Sequence, residues 1–179
     1  ATLSRTVAGQ MPDGFDPTKW GIPAQMADGM DRMAAWNLVT AVDAFINAGF
    51  TPAELMQKVH PSFIATTQGT GIGGMESLHK VFVSRLLGHE RQSDILQEAL
   101  PNVVAAHVMQ SLVGGYGSMV HPVAACATTA VSVEEGFDKI RAGKSDFVVA
   151  GGFDDLSVAH RVRAHEAFRA LGLDLMEYA

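Results

Sequence analysis

The chain has 179 residues, within the usual span of one domain and long enough to bury a sizeable core. Hydrophobic residues make up 47% of it and charged residues 18%, which excludes a disordered chain. A net charge of −6 argues against nucleic acid as a partner, because phosphate binding needs clustered Lys and Arg. The single cysteine rules out an internal disulfide, argues against a cysteine-based zinc site, and fits a reducing compartment. No apolar run approaches the about 18 residues that a transmembrane helix needs. The opening ATLSRTVAGQMPDGFD lacks the apolar stretch of a signal peptide. The expected setting is the cytoplasm, with no membrane association.

Residues 1–30 are rich in Gly, Pro and Asp and read as an irregular arm. Asp31 is placed to cap a helix running to Ala48, with Ala34, Leu38, Ala41 and Phe45 as its buried stripe. Gly49 follows where a left-handed helix stop belongs. Thr51-Pro52-Ala53-Glu54 opens a second helix, with Thr51 and Glu54 at capping-box spacing. Phe63 to Thr67 reads as a strand, and Gly69-Thr70-Gly71-Ile72-Gly73-Gly74 as a flexible loop. Helices are expected over about 75–87 and 92–99, and from Pro101 to Val113. Gly114-Gly115-Tyr116-Gly117 breaks the chain. Ser118 to Ala125 reads as a buried strand, weakened by Pro122. A helix from Cys126 to Ala142 and a strand from Asp146 to Ala150 complete a parallel βαβ unit, so the class is α/β.

Cys126 sits where the strand is expected to end and the helix to begin. Unpaired N–H groups and the positive end of the dipole at a helix N-terminus favour an anion, so a thiol placed there gains thiolate character. The same N–H groups are placed to donate to an oxyanion formed when a thiolate attacks a thioester. A plainer reading competes with this one. Cys126, Ala130, Val133, Phe137 and Ile140 fall on one apolar helix stripe, and cysteine behaves as a small hydrophobe. Spacing alone favours that inert core cysteine.

Several segments occur in an order that resembles the β-ketoacyl synthase family. They are Gly69–Gly74, PNVVAAH from Pro101 to His107, GGYGS from Gly114 to Ser118, PVAACAT from Pro122 to Thr128, GKSD from Gly143 to Asp146, and GGFDD from Gly151 to Asp155. The likeness covers about residues 16–157. It points to the ketosynthase domain of type I fatty acid synthases in the actinobacterial and fungal style. The resemblance implies a thiolase-like fold, of which this chain supplies the first α/β half, with a mixed or parallel sheet between helices. Residues 31–157 would form the N-terminal part of the ketosynthase domain. It implies that Cys126 is the catalytic nucleophile, taking an acyl group from the phosphopantetheine of an acyl carrier protein and condensing it with a decarboxylated malonyl unit. It implies a homodimer joined through the 118–125 strand, possible membership of a larger synthase assembly, and no cofactor in this segment. NADPH and FMN are expected in other domains of the parent synthase.

The family's two supporting histidines and its lysine lie in the second half, and nothing here matches their motifs. His60, His79, His89, His107, His121, His160 and His165 are therefore expected to be structural or exposed. His121, five residues before Cys126 on a strand-like segment, is too far along it for a direct bond. Residues 158–179 read as an unassigned amphipathic helical tail carrying Arg161, Arg163 and Arg169. The Gly69–Gly74 loop lacks GxGxxG and a P-loop Lys, so a tight turn near the active site is expected rather than a phosphate cradle. Asp154-Asp155 reads as a turn or cap in preference to a metal site. Two alternatives remain open: a thiolase-fold acyltransferase or thiolase using the same cysteine, and a non-catalytic fragment of the assembly.

Overall fold

The computed structural model describes residues 14–89, 95–114 and 117–154. Two short elements occupy the described part of the expected arm, a 3-10 turn at Pro17–Trp20 and helix α1 at Ala24–Gly29. The expected tail at 158–179, with its three arginines, lies outside the described residues, as do Gly115, Tyr116 and Asp155.

Helix α2 spans Arg32–Ala48 and begins as its sequence dictates. The Asp31 side chain accepts the Met33 N–H, and Gly49 stops the helix at φ 82°. Ala34, Leu38, Ala41 and Phe45 are all buried. Helix α3, Pro52–Lys58, carries the full capping box between Thr51 and Glu54. Strand β1 follows at Ile64–Gly69, then helices α4 at Met75–Leu87, α5 at Ile95–Glu98 and α6 at Pro101–Val108. The expected helix to Val113 is α-helical only to Val108, and Met109–Val113 forms a π-helical turn. Helix α7 spans Thr128–Arg141, and strand β2 spans Phe147–Gly152.

β1 and β2 pair in parallel, with Ile64 opposite Phe147 and Gly69 opposite Gly152. The other edge of β1 holds a parallel bridge to Met119, made by Thr66 N–H to Ser118 C=O at 2.9 Å and Val120 N–H to Thr66 C=O at 3.0 Å. The expected Ser118–Ala125 strand is therefore reduced to one bridge. Pro122 has no N–H to offer a ladder, and the Ala124 N–H is taken by the Thr128 side chain. The parallel strand-helix-strand unit is present, but β1 lies between its two strands.

Strand alternation decides what each face of β1 meets. Ile64, with Phe147 and Val149 across the ladder, joins a core with Phe45, Leu55, Met109 and Val113. Gln68 bonds to Asn37 on α2, whose amide also reaches the Val104 C=O of α6. The opposite face carries Thr67 and Gly69 and meets α7. The Thr67 hydroxyl donates to the Ser132 C=O at 2.7 Å. The side of α7 laid on the sheet is Thr128, Ser132 and Gly136, all buried. Its apolar stripe points elsewhere: Val133 is 54% exposed and Phe137 58%. Small residues face the sheet because the helix packs closely. A Cβ at Gly136 would lie 3.1 Å from Val148 Cγ1, and one at Gly69 would land on Pro122 O and Thr128 Cγ2.

Candidate active site

Cys126 is an exposed free thiol in a 3-10 turn, Ala125–Ala127, that precedes α7. The helix therefore starts two residues later than its sequence suggests. No side chain caps its N-terminus, where the Thr128 N–H is already taken by the Ala125 C=O of the preceding turn. Its last turn carries Lys139 and Arg141, matching the negative end of the dipole. The inert-core reading of Cys126 finds no core within this segment: among the described residues neither the thiol nor the stripe it heads is buried.

The turn is held in an unusual shape. Ala125 has φ 48°, alone among the described non-glycine residues in being positive. An L-residue there costs about 1–2 kcal/mol and persists only where its surroundings enforce it. Thr128 supplies part of that enforcement. Its hydroxyl accepts the Ala124 N–H at 2.9 Å and donates to the Ala125 C=O at 2.7 Å, bracketing the strained residue. Its methyl packs against the space left by Gly69. Gly152 at the end of β2 leaves similar room for Thr129.

The Gly69–Gly74 loop runs beside this turn. A Cβ at Gly71 would stand 3.7 Å from Ala125 Cα. Asp154 is a cap, as its sequence position suggested, and the loop is what it caps. Its carboxylate accepts the Thr70 hydroxyl at 2.7 Å, the Gly71 N–H at 3.0 Å and the Ile72 N–H at 3.2 Å. Thr70 is fully buried, and its own oxygen accepts the Gly73 N–H. At its far end the loop meets a second acidic cluster. Asp31 accepts the Ser77 N–H, and its own N–H donates to Glu98, which pairs with His107 at 3.0 Å. Burial pushes the Glu98 carboxyl up, but the His107 bond and the Asp31 N–H outweigh it and hold its pKa below the usual value.

Among the described residues no histidine bonds to Cys126. His60 bonds to Ser62, His107 to Glu98, and His79 and His89 are exposed. His121 is half-buried, and neither ring nitrogen reaches a partner with hydrogen-bond geometry. Burial pushes its pKa down, and the nearby backbone of Gln68 and Thr70 opposes this only in part. His160 and His165 lie outside the described residues. Thr128, Thr70 and the strained Ala125 were not marked by sequence. Thr128 left a faint trace, a hydroxyl four residues after Ala124 at a helix start, where such side chains bond to nearby backbone.

The family profile described as "Beta-ketoacyl synthase, N-terminal domain" matches residues 2–174. The chain is 38% identical over 156 residues to fatty acid synthase subunit alpha of Schizosaccharomyces pombe, an alignment spanning 87% of this chain. The chain belongs to the β-ketoacyl synthase family. It spans 8% of that yeast relative's length. The thiolase-like fold is borne out by solved ketosynthases. FabY from P. aeruginosa superposes with a TM-score of 0.72 at 23% identity, over 92% of this chain and 25% of that one. A ketosynthase solved with its type II PKS acyl-carrier protein superposes with a TM-score of 0.67 at 14% identity, over 81% of this chain and 40% of that one. Among the described residues no helix is long and apolar enough to cross a membrane.

Proposed function

We propose that Cys126 is the acyl-accepting nucleophile of a condensing domain in a fatty acid synthase. The observation that carries this reading is an exposed thiol on a strained turn at an uncapped helix N-terminus, in a β-ketoacyl synthase N-terminal domain. The Cys126 thiolate attacks the acyl thioester of a carrier protein, forms an acyl-cysteine and expels the carrier thiolate, which takes a proton from water. Malonyl carrier then loses CO₂. The resulting enolate carbon attacks the acyl-cysteine carbonyl, the C–S bond breaks, and the thiolate is restored. The product is a β-ketoacyl carrier two carbons longer. Preorganised N–H donors at the α7 terminus stabilise the oxyanions of both acyl transfers.

The donor and acceptor are the acyl and malonyl groups on carrier phosphopantetheine. A carrier partner is supported by the neighbouring ketosynthase solved with its own. The histidines and lysine that support decarboxylation are assigned to the second half of the condensing domain, so the segment does not condense alone. The exposed stripe of Val133, Phe137 and Ile140 on α7 suits that half as its packing surface. A homodimer through 118–125 is supported by the open outer edge of the Met119 bridge, where Met119 is 40% exposed. NADPH and FMN chemistry is assigned to other domains of a cytoplasmic parent synthase, and no cofactor to this segment. The test is CO₂ release from malonyl carrier, coupled to β-ketoacyl product, by the full-length parent protein. Cys126→Ala abolishes product formation on this account. Condensation without CO₂ release would favour a thiolase instead.

A further inference from the structure

We propose that Asp154 is a positioning residue for the Cys126 turn, a role that rests on Cys126 being the acyl acceptor. One carboxylate collects donors from three consecutive residues, Thr70, Gly71 and Ile72, that lie 82 to 84 positions away in the chain. Charge-assisted bonds of this kind are about twice as strong as neutral ones. Such a latch ties the end of β2 to the loop that leaves β1. The Phe153 N–H adds a bond to the Gly69 C=O at 3.1 Å.

What the latch holds in place is a wall. The latched loop brings Gly71 beside Ala125, close enough that a Cβ on Gly71 would be in ordinary van der Waals contact with Ala125 Cα. Ala125 is the strained residue on which Cys126 is mounted. Thr128 braces it from the helix side, and the Gly71 backbone lies beside it on the loop side. With the loop free to retreat, Ala125 loses one of its two supports and relaxes toward negative φ, swinging the thiol away from the α7 terminus. The hydrogen-bond partners of Asp154 are Thr70, Gly71 and Ile72 rather than Cys126, so it acts through Gly71 and Ala125. Thr70 is the buried half of the latch, its hydroxyl donating to Asp154 while it accepts the Ile72 and Gly73 N–H groups.

The experiment follows acyl loading of Cys126 in the full-length parent protein, using octanoyl-pantetheine as donor in single turnover. The maximal rate and its dependence on donor concentration are read separately. Asp154→Ala and Thr70→Val lower the maximal rate by about 10- to 100-fold, the cost of misplacing a reacting group by an ångström or less, with the concentration dependence unchanged. Thr70→Ser keeps the hydroxyl and most of the rate, and Asp154→Asn falls in between. Wild-type maximal rates in both Asp154→Ala and Thr70→Val overturn the latch while the reading of Cys126 stands. Equal losses in Thr70→Ser and Thr70→Val overturn it too, because shape rather than the bond would then matter. If the wild-type protein takes no acyl group on Cys126, the reading of the nucleophile falls and the latch with it.

Discussion

Replacing Thr128 by Val keeps the shape of the side chain and removes its hydroxyl. Two bonds are lost, the one from the Ala124 N–H at 2.9 Å and the one to the Ala125 C=O at 2.7 Å. The Ala125 C=O still accepts the Thr128 N–H, so it is not left bare. The Ala124 N–H loses its acceptor, and a donor left unmade in a part-buried position costs about 1–3 kcal/mol. The brace on Ala125 weakens at the same time, which frees up to about 1–2 kcal/mol of backbone strain by letting φ relax. The native turn is thus disfavoured by about 1–3 kcal/mol locally, or roughly 5- to 150-fold in the population of the open turn. Hydrogen exchange at the Ala127 and Thr128 amides, which donate to the Ala124 and Ala125 C=O, reads this directly in the full-length protein. Protection there falls by that factor in Thr128→Val, while β1 amides change little. Thr128→Ser keeps both bonds and loses only the methyl beside Gly69, so its protection stays nearer wild type. Unchanged protection in Thr128→Val, or a larger loss in Thr128→Ser, would refute the claim that the hydroxyl braces the turn.

Two further expectations concern pH. His121 has a folded pKa below its unfolded value near 6.5, so the unfolded chain binds more protons in between and stability rises with pH up to about 6.5. Replacing its unpartnered ring by Phe removes this dependence: the fall in melting temperature between about pH 7.5 and about pH 5.5 shrinks in His121→Phe, and an unchanged fall would clear His121 of the effect. Glu98 is the opposite case, a carboxyl held below its ordinary 4.5. Its contribution is fully present above about pH 4.5 and is lost as pH falls through the folded value. Glu98→Gln therefore melts lower than wild type at neutral pH, with the gap closing in acid. A gap that persists at low pH would show that shape, not charge, is at stake.

Much of this fold was legible because its signals are local. Asp31, the stripe from Ala34 to Phe45, and Gly49 define α2 within nineteen residues, and Thr51 with Glu54 defines the start of α3. The strand expected at 118–125 misled because an apolar run settles neither bonding nor burial: Pro122 is buried, but Met119 and Val123 are exposed. Pro122 and the hydroxyl of Thr128 remove the donors a ladder needs. The stripe on α7 was real but its partner was misjudged. Period in apolar residues shows which side of a helix is hydrophobic, whereas closeness to the sheet is set by Gly69, Gly136 and Thr128, small residues that a search for apolar side chains passes over. The site divided in the same way. Cys126 was marked by its place at a junction and by the ordered motifs around it. The brace at Thr128 left only a local trace. Asp154 was marked only as a turn or cap, and what it caps left no trace, because the partners lie more than 80 positions apart and meet only when β1 and β2 pair.

Trapping the acyl-enzyme tests the central claim most directly. The full-length parent protein is mixed with an acyl-carrier thioester, digested, and mapped by mass spectrometry. The acyl group is predicted on the peptide containing Cys126, with none in Cys126→Ala. Acylation at another residue, or label that persists in Cys126→Ala, would contradict the assignment of the nucleophile.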